Sequence, residues 1–476
     1  MSAVSPPATA ARPRASLAVA MLGFFVVALD AQIVNVALPE IRNDLGGGLS
    51  GLQWIVTGYT LMFSALQLFS GTFSDRVGAR RAYGLGMILF TAASAACAFS
   101  PSLPVLIAGR ILQGLGAAMI TPSSLALIRE AYHDAVDRGR AIVYWGLGGS
   151  VAAAAGPVLG GFLTQIDWRL IFFVNLPVGV AALLVLSRVA PSPRRPAPFD
   201  WFGQFAAVLA LASLTYGIIE GASVGYGSPE ILALFAVCAG SVAAFILAQA
   251  RGKHPMVPLD LFRSRTVSTT LAIALVTMAA FYGVVFLQSL YFQQQRGATA
   301  LVTGLLFLPM TGLVALLNPF AARLMVRYGN VAMIAAGQLI MAVGLAGLWL
   351  LPGDAQTLLV ALVMVPVGVG GSFTVPPIIA LVMDHVPAEK AGTASGVINT
   401  ARQVGGSLGV AIYGALLAGH DFMGGLRIGL GTTAVVLLIL TAASLNLRHA
   451  NLNPARTSTT KPPSRPASQH KATHKT

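Results

Sequence analysis

The sequence predicts an all-α integral membrane protein, and three observations carry the prediction. Of its 476 residues 56% are hydrophobic and only 10% charged, whereas an ordinary soluble domain carries roughly 25% charged residues. Too little polar material remains to cover a water-exposed surface. The apolar residues arrive in successive runs of about twenty, the length a helix needs to cross roughly 30 Å of hydrocarbon. The basic residues collect in alternate connections between those runs, as in membrane proteins of fixed orientation.

The first run follows Arg14 and extends from Ser16 through Asp30 to Leu38. It is too long for the core of a secretory signal, and no small-residue cleavage site ends it, so it reads as a retained first span. Windows of about nineteen residues place fourteen helices at 16–38, 52–71, 82–100, 104–128, 141–164, 170–188, 201–219, 230–250, 267–291, 303–322, 331–351, 356–383, 392–418 and 426–446. These group into a tail over 1–15, a six-helix bundle over 16–190, an additional pair over 200–250 and a second six-helix bundle over 266–447. Residues 448–476 are rich in Pro, Ser, Thr and Lys and read as a disordered basic tail.

Charge sets the orientation. Arg12, Arg14, Arg76, Arg80, Arg81, Arg129, Arg138, Arg140, Arg188, Arg194, Arg195, Arg251, Lys253, Arg263, Arg265, Arg323, Arg327, Lys390 and the final tail fall on one side; Arg42, Arg169, Arg296 and Arg427 fall on the other. The positive-inside rule puts both termini in the cytoplasm of a multi-pass cell-membrane protein. The net charge of +14 is spread over these connections and forms no basic face, so nucleic acid is not an expected partner. Cys97 and Cys238 lie inside apolar runs and read as buried small residues, with neither a disulfide framework nor a metal site expected.

An internal repeat is visible. Gln113-Gly114-Leu115-Gly116 and Pro122 recur as Val367-Gly368-Val369-Gly370 and Pro376, 254 residues later. The loop Phe73-Ser74-Asp75-Arg76-Val77-Gly78 recurs more weakly as Leu324-Met325-Val326-Arg327-Tyr328-Gly329, offset by 251. Eight helices precede the second copy, so both copies enter the membrane in the same sense. Parallel repeats of this kind place a substrate site at mid-depth between the halves.

Asp30 is the one acid deep in a predicted span; so costly a placement reads as a protonatable carboxylate facing a central cavity, the alternative being a helix end one turn off that leaves it near the interface. Arg110 enters from the fourth helix at similar depth and is its expected partner. Arg402, about ten residues into the thirteenth helix, has no acidic partner in sight; carbonyls, substrate or water remain open for it. The cytoplasmic connection Gly71-Thr72-Phe73-Ser74-Asp75-Arg76-Val77-Gly78-Ala79-Arg80-Arg81 combines turn-forming glycines with an acid close to a helix N-terminus.

That connection resembles the signature between helices 2 and 3 of the major facilitator superfamily. Leu29-Asp30 followed by Ile33-Val34-Asn35-Val36-Ala37-Leu38-Pro39 resembles the helix 1 motif of drug/proton antiporters, and Arg110 with Gln113-Gly114 their helix 4 motif. Gly156-Pro157 with Gly160-Gly161 is similar to the helix 5 antiporter motif. Trp168-Arg169 with Phe172-Phe173-Val174-Asn175-Leu176-Pro177-Val178-Gly179 is similar to the start of helix 6 in the fourteen-helix EmrB/QacA type. The resemblance implies two parallel six-helix repeats plus two extra helices, proton coupling through Asp30 and Arg110, and a gate formed by Gly71, Asp75, Arg76, Gly78, Arg80 and Arg81. It also implies a bend at Gly156-Pro157 along the interface between halves. Gln113 and Arg402 are the candidate substrate contacts. Val326 replaces the signature acid in the second half, so that loop is expected to contribute less.

Two other motifs carry no chemistry. Gly405-Gly406-Ser407-Leu408-Gly409 fits a nucleophile elbow but sits in an apolar helix rather than after a strand. Gly46-Gly47-Gly48-Leu49-Ser50-Gly51 fits a dinucleotide fingerprint without a βαβ unit. The expected activity is proton-driven, cofactor-free export of small amphipathic compounds by a monomer, not enzymic catalysis. An importer or uniporter of a small metabolite, and a receptor or scaffold without flux, are the alternatives.

Overall fold

A computed structural model describes residues 13–451 except 195, 197, 254, 388 and 389. Most of both expected tails, with Arg12 and Arg195, lies outside the described residues. The expected boundaries shift slightly inside them: α1 already begins at Pro13, and the last helix continues to Asn451.

The first bundle comprises α1 (Pro13–Ile33), α2 (Leu38–Leu45), α3 (Leu49–Val77), α4 (Ala79–Ala98), α5 (Leu103–Ala131), α6 (Ala135–Ile166), α7 (Leu170–Phe173) and α8 (Asn175–Leu186). The additional pair is α9 (Trp201–Val224) and α10 (Pro229–Arg251). The second bundle contains α11 (Arg265–Leu290), α12 (Ala300–Tyr328), α13 (Asn330–Leu350) and α14 (Thr357–Val363). It closes with α15 (Val365–Asp384), α16 (Ala391–Ala418) and α17 (Phe422–Asn451).

Among the described residues eleven helices are long and apolar enough to cross a membrane. The other three expected spans fall on α3, on the interrupted α7–α8 segment and on α16. Helix α3 carries Gln53, Thr57, Thr60, Ser64 and Gln67 on buried positions, so its polar side chains face protein and lower its mean hydropathy. The single run expected over 16–38 is also corrected: it ends in a 3-10 turn, Val34–Val36, before α2 turns off. The breaks at Val174 and Met364 each come shortly before a proline, Pro177 and Pro366, which lacks the N–H that would continue the helical ladder.

The two copies of the repeat match in detail. One glycine alone joins α3 to α4 and another α12 to α13: Gly78 at φ 92° and Gly329 at φ 82°, 251 residues apart. That left-handed backbone is open to glycine and strained for other residues. In the first copy a Cβ on Gly116 would lie 2.9 Å from Gly86 O; in the second, one on Gly337 would lie 2.7 Å from Gly370 O. These close helix approaches need glycine in both halves.

The two ends of the molecule differ. At the end bearing Gly48, one hydrophobic core runs through both bundles, from Leu29, Ile33 and Ile55 to Phe286, Phe292 and Leu345. Hydrogen bonds cross between the bundles there: Gln53 Nε2 donates to Ala411 O (2.8 Å), Ser289 Oγ to Asn35 O (2.6 Å) and Gln293 Nε2 to Val36 O (3.1 Å). At the end bearing Gly78 each bundle has its own core, one around Tyr83 and Phe90, the other around Ile273 and Ile378. A cavity of about 470 Å³ separates them, lined by Gln67, Asp75, Arg129 and Asn399 among others. The molecule is sealed at one end and open at the other.

Candidate functional site: a buried ion pair and the cavity between the bundles

Asp30 and Arg110 form an ion pair with both side chains wholly buried. They are the only fully buried charges among the described residues. Helix α1 delivers Asp30 near its end, and α5 carries Arg110 and Gln113 three residues apart, on one face. The break before α8 turns Asn175 inward to the same point. Arg110 Nη1 donates to Asp30 Oδ2, while Gln113 Nε2 (3.1 Å) and Asn175 Nδ2 (2.8 Å) donate to Oδ1. Ser94 Oγ of α4 accepts from the same two amides, at 2.7 and 3.3 Å.

The arginine is held on its other side. Its Nε donates to Ile55 O of α3 (2.9 Å) and its Nη1 to Gln113 Oε1 (3.0 Å). The guanidinium carbon stands 4.4 Å from the centre of the Tyr59 ring and 5.8 Å from that of Phe172, distances at which the ring faces attract a cation. Two buried charges cost several kcal/mol each unless paired and further hydrogen-bonded, and this network supplies both conditions.

The expected pairing of Asp30 with Arg110 is therefore present, but its expected exposure is not. Asp30 is 0% exposed, enclosed within the first bundle and not facing the cavity. Gln113, expected at substrate, is also fully buried with its amide committed to Asp30, Ser94 and Arg110. Asn175 and Ser94 were not singled out in the sequence. An Asn within the apolar run Phe172–Pro177 was the available signal for the first.

Arg402 is half-buried in the second bundle and donates to Asn399 Oδ1 at 3.1 Å; Asn399 lines the cavity. The loop residues divide. Gly71 and Asp75 line the cavity with Arg129, Arg76 stacks on Phe199 at 4.8 Å and Arg81 is exposed. Arg80 is tied to its own bundle, donating from its backbone to Ser192 Oγ (3.0 Å) and from Nε to Leu186 O (3.3 Å). Ser192 Oγ in turn donates to Glu130 Oε2 at 2.5 Å.

Gly156 and Gly160 of α6 receive α1; a Cβ on Gly160 would sit 2.6 Å from Ile33 O. Gly161 faces Ala300 O of α12, and Gly304 of α12 faces Pro157 O. The motif thus lies where the bundles meet, as expected, although α6 continues through Pro157 as one helix from Ala135 to Ile166. Gly405 and Gly409 of α16 pack on Leu275 O and Ala279 O of α11, a packing role.

Two helical bundles that share a core at one end and part around a cavity at the other, within a multi-pass membrane protein, define a transporter. The Major Facilitator Superfamily model matches residues 20–410, and the chain belongs to that superfamily. It is 38% identical over 403 residues to a Multidrug resistance protein Stp of Mycobacterium tuberculosis, covering 83% of this chain and 74% of that one. It is 34% identical over 413 residues to a Methylenomycin A resistance protein of Bacillus subtilis, covering 84% and 87%. A Tetracenomycin C resistance and export protein of Streptomyces glaucescens is 33% identical over 411 residues, covering 86% and 76%. Among solved structures, a peptide transporter POT bound to alafosfalin superposes with a TM-score of 0.69 at 16% identity, over 91% of this chain and 94% of that one. That last likeness is one of fold.

Proposed function

We propose that the chain is a proton-coupled exporter of small amphipathic organic compounds, drugs and antibiotics among them, acting as a monomer without a cofactor. In this reading fourteen helices span the cell membrane, α7–α8 and α14–α15 each crossing as one interrupted span, and both termini are cytoplasmic. The Gly78 end, rich in arginine, is then the cytoplasmic end, and the molecule faces inward. The export and resistance proteins at 33–38% identity support the transport direction and substrate class. The observation that carries the coupling is the buried carboxylate of Asp30 at the centre of a three-donor network.

Protonation of Asp30 removes the charge that holds Arg110. Arg110 also grips Ile55 O, and two residues away Gln53 binds Ala411 O across the sealed end. Loss of the ion pair therefore loosens α3 where it latches α16. Substrate drives the first outward opening, which exposes Asp30 to external protons; protonation then keeps the latch loose while substrate leaves, and return to the inward state restores the pair and releases the proton inside. Substrate occupies the cavity between α3, α5 and α16 and leaves outward. Efflux of a panel of lipophilic compounds from cells stripped of their own pumps tests the reading. Accumulation must fall on expression and recover when a protonophore collapses the gradient; accumulation unchanged across the panel, or efflux indifferent to the protonophore, sinks it.

A further inference from the structure

We propose that the protein carries a second, membrane-side binding site, which takes the apolar body of an amphipathic organic substrate before it reaches the central cavity. The inference rests on the export reading and locates the point of entry. An apolar pocket of about 390 Å³ lies between the additional pair and the two bundles, bounded by α3, α9, α10, α11 and α16. Small-ligand sites occupy roughly 300–1,000 Å³. None of its described lining side chains is ionisable, and among them Ser64 and Thr400 are the only polar ones. Ser64 Oγ already donates to Leu61 O at 2.8 Å, whereas Thr400 Oγ1 is buried without a protein partner.

The mouth opens toward the surroundings of the bundle. Val242 of α10 and Phe262 are each 43% exposed on its rim. Val242 lies nine residues before Arg251, the end of α10, or about 14 Å along a helix rising 1.5 Å per residue. In a hydrocarbon layer of roughly 30 Å that is lipid depth, on the arginine-rich side. The pocket's inner wall is thin. Leu68 and Met256 line both this pocket and the polar central cavity. Leu68 rests on α16 at Gly396, where a Cβ would lie 2.8 Å from its Cδ2. Both residues common to the two walls carry flexible side chains, and rotamer changes of such groups are fast.

Beyond the partition stand Gln67, Asp75, Arg129 and Asn399. A ligand with an apolar body and a small neutral or singly charged head fits this sequence of environments: body in the pocket, head advancing into the cavity. A phospholipid chain would keep its head group at the membrane surface, away from those polar groups. The additional pair, which in the fold touches α3 and α16 through α9, thereby forms the outer wall of an entry site.

The test uses the full chain in lipid nanodiscs with radiolabelled tetraphenylphosphonium, measured by equilibrium dialysis against empty nanodiscs. Wild type binds saturably. Ala207→Phe/Ala210→Phe, which fills the pocket, and Val242→Trp, which narrows the exposed rim without touching the core, each weaken binding at least tenfold. In proteoliposomes the same variants raise KM for this cation and keep kcat. Binding unchanged by either variant, no saturable binding by wild type, or loss of the bound probe to a few equivalents of oleate overturns the proposal; the last result would mark a lipid site. Because binding is read without a proton gradient, its loss or survival is independent of whether transport proves proton-coupled.

Discussion

At the scale of residues, the buried network around Asp30 makes distinct demands on each member. Arg110→Ala leaves a carboxylate buried without its cation and should destabilise the protein by about 3–5 kcal/mol, the usual cost of breaking a buried pair from one side. Asp30→Asn/Arg110→Gln, neutral on both sides, should express better than Arg110→Ala and still fail to couple transport to protons. Thermal unfolding of the purified variants separates the two. Equal destabilisation of single and double variants would show that pairing is not what the site requires. Asn175→Leu removes one charge-directed hydrogen bond and should cost about 1.5–3 kcal/mol. The pair itself was legible in the sequence, because two opposite charges at matched depth in apolar helices have few other partners. Asn175 and Ser94 were not, because a small polar residue in an apolar run carries no pattern that says which neighbour it will meet.

At the scale of elements, the hydropathy runs located the long helices of both bundles, since twenty apolar residues leave the backbone few other solutions, but missed the short α2 after the 3-10 turn. The interruptions at Val174 and Met364 depend on prolines whose effect on a packed helix varies, and α6 runs unbroken through Pro157. The loop between α3 and α4 gives an element-level expectation. Asp75 lines the cavity, whereas Val326 at the equivalent place is 86% exposed. Asp75→Asn should therefore reduce transport several-fold more than Val326→Asn at matched expression; equal losses would show that the two loops are equivalent. At the opposite end Asp44, on α2, accepts from Trp168 Nε1 (3.0 Å) and Arg169 Nη1 (2.7 Å). The Trp168 hydrogen bond and then Arg169 hold its carboxyl below the ordinary value. A depressed carboxylate contributes stability above its unfolded value and loses it as pH falls through the folded one. The protection factors over 38–48, corrected for intrinsic exchange, should thus be unchanged from pH 8 to 5 and fall only below about pH 4. A fall near neutrality would assign that tie to another group.

At the scale of the whole molecule, one end is sealed by a core shared between the bundles and the other parts around a cavity. The repeat that the sequence displayed as offsets of 251 and 254 returns in space as paired glycine crossings and paired single-glycine turns. Which end is sealed was not legible, because it depends on contacts between bundles rather than within them. The topology predicts that a cysteine at Gly225, between α9 and α10, reacts with impermeant reagent from outside intact cells; labelling only from inside contradicts fourteen spans. With one buried carboxylate among the described residues, already opposed by Arg110, the protein has little negative charge to compensate a rigid dication in its low-dielectric interior. Neutral and singly charged compounds should be exported better. The central claim, that Asp30 is the group through which protons drive export, is tested most directly by substrate-induced proton release in vesicles. Wild type should release protons on substrate addition, and Asp30→Asn, present in the membrane at wild-type amounts, should release none. Undiminished release by Asp30→Asn would contradict the account.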